Sequence, residues 1–147
     1  MKINKYIIVL TFVWIGFVCA ISFMEAWVKF QAPGITTSLG LSVGQVVFRA
    51  LNRVEVFFSF QIIVLNILYK KNRLRFIKDF IFIPVIILVI QTLWLLPALH
   101  IRANIIITGN NLPESNLHFW YVILELIKVV FLFAYGIKSL VKIDVKK

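Results

Sequence analysis

The chain has 147 residues, 61% of them hydrophobic and 15% charged, and carries a net charge of +10. Soluble domains hold about 25% charged residues, so this composition excludes an ordinary water-soluble fold and indicates a polytopic membrane protein. The length accommodates about four helices of ~20 residues with short connections, so one transmembrane domain over 1–147 is expected, with no separate soluble domain.

Four apolar stretches meet the spanning requirement in chain order: Tyr6 to Val28, Val43 to Tyr69, Phe76 to Ala98 and Leu117 to Leu140. The predicted fold is an all-α bundle of four transmembrane helices. The first stretch, with Lys2 and Lys5 before it and Val18-Cys19-Ala20 within it, has the outline of a cleavable signal peptide. Its apolar run continues to Val28, however, and removing it would leave three spans with termini on opposite faces. It is therefore read as a retained helix, with Cys19 as a packing residue. Glu25 and Lys29 stand four apart in the favourable order for an ion pair at the membrane boundary.

The break Gln31-Ala32-Pro33-Gly34 leads to the second span, where Ser42 is the expected cap and Gln45 its capping-box partner. Gln45, Asn52, Ser59 and Asn66 recur every seven positions and so lie in one stripe, flanked by Arg49 and Glu55. Gly40 and Gly44 form a G-x-x-x-G pattern at the start of this helix. After Lys70-Lys71-Asn72-Arg73, the third span carries Gln91 and two prolines. Pro84 should kink it, and Pro97 either kinks or ends it.

The fourth span holds Glu125 and Lys128 well inside its apolar run, a costly placement that usually marks a protein interior or a wet cavity. With His118, Tyr121 and Tyr135 they fall within an arc of roughly 100° at ~100° per residue. Counted from the cytoplasmic ends at ~1.5 Å per residue, Glu55, Gln91 and Glu125 reach a common height of roughly 20 Å, with Lys128 and Gln61 about one turn below. A polar layer is expected there, with Glu125, Lys128, Glu55, Arg53, Gln91, Asn52 and Gln61 as candidate binding residues. Arg53, Glu55, Glu125 and Lys128 sum to zero charge. If Glu125 and Lys128 principally compensate each other, Glu125→Ala alone should destabilise more than Glu125→Ala with Lys128→Ala.

Orientation follows from the basic residues: 11 of the 16 lysines and arginines fall on the face holding both ends and the second connection. By the positive-inside rule both termini are cytoplasmic, which an even number of spans also requires, and the location is the inner (plasma) membrane. The excess charge is thus an orientation signal and a means of attracting anionic lipid headgroups rather than nucleic acid. Trp27, Trp120 and Tyr121 are assigned to the outer aromatic belt, Tyr6 and Tyr69 to the inner one, and Trp14 and Trp94 to internal packing.

Signatures of chemistry are sparse. No phosphate loop, dinucleotide fingerprint or paired cysteines occur, and no cofactor is expected. His100 and His118, joined by Glu114 or Glu25, are the nearest approach to a metal site, but no ligand spacing supports one.

Lys29-Phe30-Gln31-Ala32-Pro33, Gly44 with Val47-Phe48, Leu96-Pro97-Ala98-Leu99-His100-Ile101-Arg102-Ala103 and Leu117-His118 resemble the small bacterial relatives of transmembrane protein 205. A weaker similarity, through Lys29 to Pro33 and Glu55, is to the DoxX-like four-helix proteins. The first resemblance implies a four-helix inner-membrane protein and little chemistry. Glu125 stands where that family often has an amide, and Lys128 departs from its pattern. Three functions compete: binding or passing a small polar or ionic solute at the polar layer, as a homo-oligomer; serving as an accessory subunit to a membrane partner; and quinone-linked enzymology, which the lack of a catalytic constellation disfavours.

Overall fold

The computed structural model describes residues 2–69, 80–110 and 112–144, and the basic second connection from Lys70 to Lys78 lies outside them, as does the expected start of the third span at Phe76. Every regular element among the described residues is helical. Four helices are long and apolar enough to cross a membrane: α1 (Asn4–Gln31), α2 (Thr37–Leu68), α3 (Phe82–Ile107) and α4 (Leu117–Val141). Sequence neighbours pack side by side and α4 closes against α1, giving a four-cornered bundle. Its loop end carries the 32–36 and 108–116 connections. Its terminal end holds Tyr6, Asn66 and Tyr135, linked by Tyr6 to Gln61 at 3.3 Å and by Asn66 to Tyr135 at 3.0 Å. The surface is rich in exposed large apolar side chains such as Phe57, Phe60 and Leu93.

The helix ends differ from expectation for local reasons. Ala32 to Ile35 make a turn closed by a 3.2 Å bond from the Ile35 amide to the Ala32 carbonyl, with Pro33 second and Gly34 third at φ +83°. That is the type II pattern, in which proline presets one residue and glycine accepts the positive φ of the next. The chain therefore re-enters helix at Thr37, five residues before the expected cap. Thr36 is the cap, accepting a 3.2 Å bond from the Leu39 amide, and Ser42 with Gln45 is not a capping box.

Pro84 does not interrupt α3, because it lies in the first turn, where a missing N–H costs nothing. Nor does Pro97 end it. A π-helical segment, Gln91–Leu95, precedes that proline and accommodates its ring, so the helix runs on to Ile107. It stops in a Schellman motif, Asn110 bonding back to Ile105 at 3.2 Å and Gly109 to Ile106 at 3.0 Å, with Gly109 at φ +86°. A second π segment, Cys19–Glu25, lies in α1.

Two apolar clusters bracket the interior. One holds Leu10, Trp14, Phe58, Ile62, Leu88 and Leu132. The other, toward the loop end, joins Leu95, Leu96 and Tyr121 with Phe48 and Leu99. Cys19 is exposed, so it is not an internal packing residue, and Trp94 at 61% exposure likewise faces outward.

Candidate functional site

The polar layer assembles around one ammonium. Lys128 lies 2.5 Å from Oε1 of Glu55, 3.1 Å from Oε1 of Glu125 and 2.8 Å from Oε1 of Gln91, which uses all three of its N–H donors. Gln91 in turn donates to Oε1 of Glu125 at 3.2 Å, and the Trp14 indole donates to Oε1 of Glu55 at 2.9 Å. All four helices contribute. Each of Trp14, Glu55, Gln91, Glu125 and Lys128 is at most 1% exposed, so the layer is withdrawn from solvent and lipid alike.

Charge is not balanced within it. Two carboxylates face one ammonium, and Lys128 is the only cation in the layer's ion pairs among the described residues. Arg53, expected to complete a neutral set, is exposed. Two residues along a helix are turned by about 200°, so Arg53 and Glu55 cannot share a face. With both carboxylates ionised the layer therefore carries one excess negative charge. Among the described residues, Oε2 of Glu125, though 3.1 Å from Lys128, has no partner in hydrogen-bond geometry, and neither has the buried Ser22 hydroxyl. Tyr121, 2% exposed, turns its hydroxyl toward both Glu125 and Ser22. Tyr121 is thus an interior residue and not part of an aromatic belt. Both π segments border this layer, through Ser22 on α1 and Gln91 on α3. Such segments shift the helical register by one residue and recur at functional sites.

Above Tyr121, toward the loop end, a cavity of about 320 Å³ opens between all four helices. Phe30, Phe48, Leu96 and Leu99 give it apolar walls, and Lys29, Gln45, His100 and His118 supply the polar points. Lys29 pairs with Glu25 at 3.2 Å, as the spacing predicts, and its ammonium stands 5.5 Å and 5.4 Å from the ring centres of Phe30 and Phe48. Gly40 and Gly44 make room for these side chains. A β-carbon at Gly40 would collide with the Phe30 ring, and one at Gly44 would come within 2.9 Å of the Lys29 nitrogen.

The remaining candidates lie apart from the charged layer. Asn52 donates to Thr92 at 2.8 Å, tying α2 to α3. Gln61 accepts from Tyr6 near the terminal end. Gln45 donates to the His100 carbonyl at 3.1 Å and to Asn104 at 2.8 Å. The stripe on α2 is therefore a row of separate helix ties, not a continuous lane. His100 and His118 line the same cavity, but no group of three or more metal-ligating side chains occurs among the described residues.

The sequence reading placed Ser22 with Thr11, Glu25 and Lys29 on one face of the first span, whereas the role of Trp14 and the cavity escaped it. An indole in an apolar run looks like packing, and only its proximity to Glu55 marks it out. No family model, curated protein or solved structure matches the chain. The resemblances described above therefore rest on their motifs alone.

Proposed function

We propose that this protein binds and passes a small cationic solute, the proton foremost, at the layer formed by Glu55, Gln91, Glu125 and Lys128. The observation that carries this reading is the unequal count of charges in a closed site: two carboxylates and one ammonium, each at most 1% exposed. An unbalanced charge in a medium of low polarity is strongly unfavourable, and a bound proton or cation restores neutrality. Tyr121 is suited to relay, since its hydroxyl can donate and accept between the cavity and Glu125. The layer draws its ion-pair partners from its own chain, which supports a site complete in one copy over stripes awaiting a partner's helices.

Glu125→Gln tests this. The amide keeps the shape and most hydrogen bonds while deleting the charge. Unfolding in mixed micelles should stay near that of the wild type, while uptake of protons into proteoliposomes, followed with an enclosed pH dye, should fall to the level of empty vesicles. Full uptake by a folded Glu125→Gln protein would overturn the proposal.

In this reading the protein lies in the inner membrane with both termini cytoplasmic, its basic face against anionic headgroups. A reporter active only in the cytoplasm should work when fused after Lys147 or inserted near Asn72, and be silent near Asn110. Activity near Asn110 would reverse the threading.

A further inference from the structure

The cavity at the loop end has a chemical character different from the layer beneath it. Its walls are mainly apolar and aromatic, and it is of the size that small-molecule sites occupy, at the lower end of roughly 300–1,000 Å³. Two cations bear on it, Lys29 in its wall and Arg49 beside His100. Lys29 is 12% exposed and spends one ammonium hydrogen on Glu25, which leaves two for a guest. Among the described residues the buried Nδ1 of His100 has no hydrogen-bond partner, and Arg49 adds positive potential beside it. Both amide hydrogens of Gln45 reach toward His100 and Asn104, so its side chain is fixed in the wall. The acidic group of this region, Glu25, is already committed to Lys29. A guest that accepts hydrogen bonds from Lys29 and from the Nδ1–H tautomer of His100, carries negative charge at one end and is apolar elsewhere fits these groups.

We infer that this cavity is a binding site for a small amphipathic monoanion, a carboxylate on an apolar or aromatic body. The carboxylate would lie against Lys29 and Nδ1 of His100, and the body between Phe30, Phe48, Leu96 and Leu99. Lys29 is held over two ring faces and by Glu25, so its ammonium is oriented before any guest arrives, which lowers the ordering cost of binding. The absence of a β-carbon at Gly40 and Gly44 is the structural condition for that placement, because a side chain there would push Phe30 and Lys29 out of position. The site adjoins the charged layer through Tyr121, but its binding of an anion does not require the proposed passage of cations.

The test uses the full chain in nanodiscs of zwitterionic lipid, with 2-naphthoate as the probe and its neutral isostere 2-naphthamide as the control, measured by equilibrium dialysis against empty nanodiscs. Saturable binding of one naphthoate per chain is expected, with naphthamide at least tenfold weaker. Lys29→Met should weaken naphthoate at least tenfold, Lys29→Arg should retain most of the affinity, and Ala103→Phe, which fills the cavity from α3, should abolish it. Glu125→Gln should retain saturable naphthoate binding while losing proton uptake, which separates this site from the layer below. Equal affinity for naphthoate and naphthamide would overturn the inference, as would undiminished binding to a folded Lys29→Met protein or an excess over empty nanodiscs that never saturates. The comparison of the two ligands on the wild type decides the matter even if a variant fails to fold.

Discussion

Two buried polar assemblies lie in the same bundle and differ in what they leave unfinished. Toward the terminal end, Asn66 and Tyr135 exchange hydrogen bonds at 3.0 and 3.2 Å, and Asn66 also donates to the Ile62 carbonyl at 2.7 Å. Both ends of that amide are engaged and both side chains are uncharged, so the pair acts as a link between α2 and α4. The layer about Lys128 is as deeply buried but sets two carboxyl groups against one ammonium and, among the described residues, holds an oxygen without a hydrogen-bond partner. Polar links between membrane helices are common and weak, whereas ionisable groups at such depth are costly and mark ion or proton pathways. Charge, not burial, separates the two.

The comparison is sharpest when the central cation is removed. Lys128→Met leaves two carboxylates facing each other without compensation, and should cost about 3–5 kcal/mol in an unfolding titration in mixed micelles. A cost near that of a neutral link would mean that the layer is held together without Lys128, and the distinction would fail.

The next effect concerns pairing. Because Lys128 contacts Glu55 as well as Glu125, Glu125→Ala still leaves a neutral ion pair, whereas adding Lys128→Ala strands Glu55. The geometry thus reverses the ordering expected from the spacing of Glu125 and Lys128 alone. The double variant should be less stable than the single one by on the order of 1–3 kcal/mol. The opposite order would show that the two residues on α4 compensate only each other.

The smallest effect belongs to the neutral link. Tyr135→Phe deletes the hydroxyl that bridges to Asn66, and should cost about 0.6 kcal/mol, the average for such bonds between membrane helices. Solute uptake should be unaffected. Loss of uptake in a folded Tyr135→Phe protein would place the terminal end on the pathway and erase the contrast.

How much of this was legible in the residues depended on distance along the chain. Hydropathy and a helical repeat of ~3.6 residues are local properties, and they identified four spans and one arc on α4 of which Tyr121, Glu125, Lys128 and Tyr135 are buried while His118, at its loop end, is exposed. Counting heights brought Glu55, Gln91 and Glu125 to one level, where they do meet. Height without rotation was insufficient for Arg53 and Gln61, which stand on other faces of α2 from Glu55. That signal lay in the sequence, since two and six residues at ~100° each turn a side chain well away from its starting face.

By itself, then, the sequence determined the class of protein, the number of helices and the polar face of α4, because transfer into lipid and helix periodicity act on each segment alone. Only the tertiary structure decided which groups complete one another. Trp14 meets Glu55 across 41 positions and Lys128 meets Gln91 across 37, pairings set by how four helices rotate and slide against each other. The cavity at the loop end arises in the same way. Its lining comes from α1, α2, α3 and α4 together, and no single segment encodes the space between them.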